Sequence, residues 1–136
     1  MRKVFISVFI LCFLLSLCAC ARTGDLSIDY GHSELYTRED MDKAIELIVK
    51  EFSGWAGCEL HAIRYYGDEC NSGENIQWMN DLGNGPEFDR CIAFYSDFHS
   101  PIEGGGAWNP DEEYTNWQWW LACGEDGNWQ LLTWGY

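Results

Sequence analysis

The sequence predicts an α+β domain: an N-terminal packing helix on a curved antiparallel meander of four strands, with one short extra helix. Residues 37–53 place apolar side chains at helical spacing, with Met41, Ala44, Ile45, Ile48, Val49 and Phe52 on one face. Later segments are shorter, alternate apolar with polar residues, and are separated by glycine-bearing links. The C-terminal part holds six of the chain's eight tryptophans: Trp108, Trp117, Trp119, Trp120, Trp129 and Trp134. An indole side chain can bury on the order of 200 Å², so the final hairpin is expected to supply most of the core.

The chain begins Met1-Arg2-Lys3, runs apolar over residues 4–17, and continues Cys18-Ala19-Cys20-Ala21. A basic start, an apolar segment and small residues at its end describe an export signal. Leu17-Cys18-Ala19-Cys20 has leucine three before a cysteine and a small residue one before it. This fits a lipoprotein signal peptide over residues 1–19, with Cys20 as the lipidation site carrying diacylglycerol and palmitate. The rival reading is an uncleaved membrane anchor over 4–21, about the lower length limit for a spanning helix. Two acyl chains anchor far more firmly than one. The expected location is therefore the outer face of the cell membrane, with the bilayer as the anchor's partner. Residues 20–35 are polar and aperiodic and are expected to be a tether, leaving 36–136 as a single domain.

Within that domain Thr37 is placed to cap the long helix, with Asp40 in the reciprocal position. Glu39, Asp40 and Asp42 suit its positive end, Lys43 and Lys50 follow, and Gly54 stops it. Residues 58–66 read as the first strand and 67–73 as a loop. A short helix over 74–82 carries Ile76, Met79 and Leu82, and Gly83-Asn84-Gly85-Pro86 breaks it. Residues 90–98 form the second strand, with Ile92, Phe94 and Phe98 opposite Cys91, Ala93 and Tyr95. Gly104-Gly105-Gly106 is expected to bend the chain so that Trp108 folds back on the sheet. Strands 114–123 and 128–136 follow, joined by Gly124-Glu125-Asp126-Gly127. Strict alternation sets Trp117, Trp119, Leu121 and Cys123 against Gln118, Trp120 and Ala122. It likewise sets Trp129, Leu131 and Thr133 against Gln130, Leu132 and Trp134. A long helix followed by a meander is the order of cone-shaped domains of the cystatin and NTF2 type, an analogy of fold and not of function.

There are 22 acidic residues against eight basic ones, for a net charge of −14. No Lys or Arg follows Arg90, and loss of Arg2 and Lys3 with the signal takes the charge to about −16. Such a surface repels phosphate backbones and excludes nucleic acid as a partner. Its ordinary consequence is solubility for a tryptophan-rich exported domain.

With Cys20 acylated, Cys58, Cys70, Cys91 and Cys123 remain. A meander brings the end of the first strand beside the start of the second, so a Cys70–Cys91 disulfide is expected, with Cys58 and Cys123 reduced and buried. Closing a loop of roughly twenty residues would stabilise by about 3 kcal/mol. No close ligand pair such as C-x-x-C occurs, and neither zinc nor any cofactor is expected. His61 stands two residues from Glu59 and His99 two from Asp97. Aligned strands would join the four as a carboxylate–imidazole cluster; ordinary solvent-facing alternation is the plainer reading. No G-x-S-x-G elbow exists, and the glycine triplet lacks the Lys-Ser/Thr of a phosphate loop, so no catalytic residue is assigned. Trp108, Trp117, Trp119, Trp120 and Trp134 are candidate ligand-binding residues, if their rings line a hollow instead of filling the core.

Several motifs resemble one family. They are Gly57-Cys58-Glu59-Leu60, Ser96-Asp97-Phe98, Gly104-Gly105-Gly106-Ala107-Trp108-Asn109-Pro110, Tyr114-x-x-Trp117-x-Trp119, and the ending Trp129-x-Leu131-x-x-Trp134-Gly135-Tyr136. Together, over residues 36–136, they are similar to a family of small exported bacterial lipoproteins whose domain has no assigned function. The chain departs from that pattern at Cys123, where the family implies arginine. The resemblance carries over no catalytic residue.

These readings give a first expectation of a non-enzymatic, surface-tethered accessory or binding lipoprotein with a small-molecule or protein ligand. A second is a carbohydrate-active hydrolase using two of Glu59, Asp97, Asp111, Glu112 and Glu113 in a tryptophan-lined cleft. The third is a protein-interaction or immunity lipoprotein.

Overall fold

The computed structural model describes residues 25–136; the expected signal peptide, Cys20 and the first part of the expected tether lie outside the described residues. In chain order the elements are β1 (Ser27–Asp29), α1 (Arg38–Phe52), β2 (Glu59–Tyr65), α2 (Gly73–Leu82), β3 (Arg90–His99), β4 (Glu113–Cys123) and β5 (Gln130–Gly135). The fold is α+β, and its strands form one five-stranded sheet in the order β1-β2-β3-β4-β5. Strands β2 to β5 are the antiparallel meander the sequence predicts.

The fifth strand corrects the expected tether. Ser27–Asp29 pairs in parallel with Ala62–Arg64 of β2, and parallel neighbours need a long crossover, which α1 supplies. Leu26, Ile28 and Tyr30 sit half-buried against the core, a period-two pattern too short to stand out beside the polar residues around it. Further along, Asp68 accepts from the Ser33 hydroxyl and the Glu34 N–H, so the segment is bound to the domain well beyond the strand.

Helix α1 opens as predicted. Thr37 Oγ1 accepts the Asp40 N–H at 3.1 Å, and Asp40 Oδ2 accepts the Thr37 N–H at 3.0 Å. Its stripe of Met41, Ala44, Ile45, Ile48 and Phe52 is buried, and Phe52 meets Phe98 with ring centroids 5.6 Å apart. On that same sheet face Leu60, Ile63, Ile92, Phe94, Phe98, Trp119 and Leu121 are fully buried. Helix α2 takes the opposite face, where Trp78 packs on Trp120 at 5.2 Å. Adjacent Trp119 and Trp120 thus serve two different layers, as strand alternation requires.

Strict alternation fails in β5. Trp120 pairs with Thr133 but Leu121 with Leu131, so Leu132 is an inserted bulge residue. Past the bulge the faces exchange, and Trp134 lands beside Trp119, with ring centroids 5.7 Å apart, instead of on the opposite side. The two glycines of the β4–β5 turn have different reasons. Gly127 has φ +72°, whereas a Cβ on Gly124 would stand 2.5 Å from the Glu87 carbonyl oxygen. Gly104, Gly105 and Gly106 all have positive φ and return Trp108 to the sheet, 5.1 Å from both Phe98 and Trp55.

Cys58, Cys70, Cys91 and Cys123 are all buried free thiols, so the expected Cys70–Cys91 disulfide is not formed in this structure. A 3-10 turn at Asp68–Asn71 does bring Cys70 to the start of β3. It aims the sulfur at the backbone, however, and the Cys70 thiol donates to the Cys91 carbonyl at 3.6 Å.

Candidate functional site

Strand register brings the histidines together. Glu59 pairs with His99, and His99 with Glu113, at one end of β2, β3 and β4. A bulge at His61, between the Leu60–Phe98 and Ala62–Asp97 pairs, swings that ring beside His99; the two imidazoles lie nearly parallel with centroids 6.4 Å apart. Glu113 joins them: Oε1 is 3.1 Å from His61 Nδ1, and Oε2 is 2.8 Å from His99 Nδ1. Glu59 Oε1 lies 3.6 Å from His61 Nε2, and Asp111 Oδ1 lies 2.7 Å from His99 Nε2.

The carboxylate–imidazole cluster, the less plain of the two readings of these strands, does form, but with a different composition. Asp97 points elsewhere and accepts two hydrogen bonds from Arg64, at 2.7 and 3.0 Å. It also accepts the Asn116 N–H at 3.0 Å, where β4 bulges opposite it and Asn116 takes φ +58°. The Arg64 guanidinium, with the Asn116 N–H, holds the Asp97 carboxyl below its usual range against a smaller opposing effect of burial. Asp111 comes into the cluster because the glycine-rich loop folds back, a tertiary effect that strand spacing does not encode, whereas Glu113 stands opposite His99 in the strand register.

Chemically the cluster is a clamp. Hydrogen bonds to Asp111 first, and to Glu113 next, raise the His99 pKa, which favours an imidazolium with both nitrogens donating. A ring in that state has no lone pair with which to take a proton. Its two bonds instead tie the return of the glycine loop to β3. The Ser100 hydroxyl adds a second tie there, accepting the Glu112 N–H at 2.9 Å and donating to the Asn109 carbonyl at 2.6 Å. Among the described residues no group of three or more His, Cys, Asp or Glu is placed to hold a metal ion.

The candidate ligand-binding tryptophans separate by role. Trp119 is fully buried and its indole N–H donates to the buried Ser96 hydroxyl at 2.7 Å. Trp108 and Trp117 are half-buried in a cluster centred on Trp55, which sequence reasoning passed over because it follows the helix stop at Gly54. Trp55 stacks on Trp119 at 5.2 Å and also reaches Phe52, Phe98, Trp108, Trp117 and Trp134. Apart from Trp134, these rings fill space between strands and helix.

The exposed aromatic rings gather around the free end of β5 and the neighbouring face of α2. Trp134 is 40% exposed, Tyr136 76% and Trp78 40%. A cleft of about 90 Å³ there is bounded by Trp78, Gln118, Trp120, Thr133, Trp134, Gly135 and Tyr136. Gly135, paired with Gln118, has φ +146° and no atom within 4 Å of where a Cβ would be, which keeps the cleft open. A larger cleft of about 840 Å³ lies at the opposite end of β5, between residues 86–89 and the β4–β5 turn, and contains no histidine.

No family model, curated protein or solved structure matches the chain.

Proposed function

We propose that the chain is a non-enzymatic, ligand-binding module of a surface lipoprotein, held on the outer face of the membrane through Cys20 and binding through the exposed aromatic edge at β5. One observation carries the reading. The acid–base groups satisfy one another, His99 with Asp111 and Glu113 and Asp97 with Arg64, while Trp78, Trp134 and Tyr136 remain outward around a largely aromatic cleft that also presents Gln118 and Thr133. Aromatic side chains left in water beside hydrogen-bonding groups are the ordinary equipment of a binding surface. A cone of the NTF2 or cystatin type belongs to the same proposal: β2 to β5 with α1 on one face support it, and the parallel β1 departs from it. Among the described residues no helix is long and apolar enough to cross a membrane; the lipid anchor is proposed from Leu17-Cys18-Ala19-Cys20 in the sequence.

Tryptophan fluorescence and thermal melting of the full chain in neutral detergent test the reading against panels of neutral oligosaccharides and peptides. A ligand is expected to raise the melting temperature and shift the emission, with the response lost in Trp134→Ala. Glycoside hydrolysis abolished by Glu113→Gln would overturn it in favour of an enzyme. Palmitate labelling, expected to vanish in Cys20→Ser, tests the anchor.

A further inference from the structure

We infer that β5 is the acceptor edge for an extended, cationic segment of a partner protein, which adds to the sheet as a sixth strand. This rests on the reading that the β5 edge is the binding surface, and it names the occupant.

The two edges of the sheet are treated differently. At one edge β1 is only three residues long and ends in Asp29, whose carboxylate turns back to take the Gly31 N–H at 2.9 Å. Short length and charge are the usual guards against unwanted strand pairing. At the other edge β5 bonds to β4 on one side and, among the described residues, to no strand on its other side. Its six residues, Gln130 to Gly135, include no charged residue and no proline. The one guard present is the bulge at Leu132, and it lies upstream of the aromatic part. The stretch best suited to pair is thus Thr133–Tyr136. A strand laid there would send alternate side chains to either face. One set would meet the cleft of Trp78, Gln118 and Trp120; the other would meet the exposed ring of Trp134.

Charge selects among occupants. Carboxylates bracket the edge, with Glu125 and Asp126 in the turn before it and Glu112 close enough to act on Tyr136 at its end. No Lys or Arg follows Arg90 in sequence. The cations nearest the start of β5 are already engaged, Lys43 with Glu39 at 3.3 Å and Arg90 with Asp89 at 3.7 Å. A second copy of the chain would bring another net −14 to the same place, so pairing of β5 with β5 is opposed. Main-chain hydrogen bonds supply affinity in strand addition, and side chains with flanking charges supply selection. A partner strand with apolar alternation and lysines or arginines at its ends meets both requirements.

The test uses the full chain in neutral detergent. Its probes are a labelled peptide alternating valine and threonine with terminal lysines, the same peptide with glutamates for lysines, and a neutral β-linked glucan oligosaccharide. Amide hydrogen exchange is read across residues 130–136, and size by sedimentation. The lysine peptide is expected to bind, to slow exchange in that segment, and to weaken as salt rises. Its affinity should fall by at least about tenfold in Trp134→Ala and in Thr133→Lys, with circular dichroism verifying that both variants fold. Equal binding of the two peptides, or binding without protection of β5, overturns the inference. So does a dimer in which these amides are already protected. If only the oligosaccharide binds and is lost in Trp134→Ala, the edge remains the binding surface but the strand-addition inference falls; if no probe responds, both fall.

Discussion

The buried pair Ser96–Trp119 gives the sharpest test of how the core is held. Both residues are fully buried, and the indole N–H reaches the Ser96 hydroxyl at 2.7 Å. In Ser96→Ala that donor is left without a partner inside the core. A lost neutral hydrogen bond costs about 1 kcal/mol net, and the stranded donor brings the total to about 1–3 kcal/mol. The hydroxyl's other contact, to the Trp117 carbonyl at 3.4 Å, is long and adds little. For a domain of about 100 residues each kcal/mol moves the melting temperature by about 4–8 °C, so a fall of roughly 4–24 °C is expected. Urea unfolding followed by far-ultraviolet circular dichroism measures the change, and an unaltered denaturant slope keeps the comparison valid. Trp119→Phe removes the donor while keeping most of the ring. In that background Ser96→Ala should be nearly neutral, a coupling of about 1–3 kcal/mol. An equal cost in both backgrounds, or a Ser96→Ala change under about 0.5 kcal/mol, would refute the reasoning.

Asp97 and His99 should tilt the stability curve in opposite directions. Arg64 depresses the Asp97 pKa, so the stability it contributes is present above about pH 4 and is lost as pH falls through its lower folded value. Asp111 and Glu113 raise the His99 pKa, so its contribution is complete below about pH 6.5 and is lost as pH rises through the raised folded value. Melting temperature against pH should flatten on the acid side in Asp97→Asn and on the alkaline side in His99→Gln; unchanged limbs would show that neither tie matters. Burial pushes the Cys70 thiol up to about 11 and Cys91 up to about 12. Peptide mapping after alkylation at pH 8 should therefore find Cys58, Cys70, Cys91 and Cys123 untouched in the folded chain and all modified in denaturant, while protection of Cys70 and Cys91 in denaturant would mean that they are joined. Gly124→Ala should cost about 1–3 kcal/mol by forcing the Glu87 backbone away. Gly127→Asn, at φ +72° with open space around it, should cost far less, and equal losses in urea titrations would contradict the assigned roles.

Legibility followed the range of the physics. Thr37, its capping partner Asp40 and the stripe from Met41 to Phe52 speak through neighbours in sequence, and α1 appears where they place it. The pairing order of β2 to β5 follows chain order, each strand lying beside the next as consecutive strands usually do, even though α2 intervenes between β2 and β3. β1 escaped because its partner lies beyond α1 in sequence, and three residues carry little periodicity. Trp134 was set on the wrong face for a different reason. One inserted residue, Leu132, reverses every side chain after it, and nothing in Gln-Leu-Leu-Thr-Trp marks which leucine is extra.

The site followed the same division. Glu59, His61 and His99 were legible as a cluster because they sit on adjacent strands, and Glu113 joins by pairing with His99, whereas Asp111 arrives by a loop whose path is fixed by Ser100, Trp108 and three glycines. Once they arrive, the cluster's meaning changes. Two carboxylates flank one imidazole and raise its pKa, and the paired contacts strap the returning loop to β3. The tryptophans divide along the same line between core and surface. Trp119, with its indole N–H satisfied and no exposure, cannot meet a ligand; Trp134, brought to the same face by a bulge and left partly in water at an unguarded strand edge, can. The binding proposed here therefore depends on where the sheet stops, not on how many aromatic residues it contains.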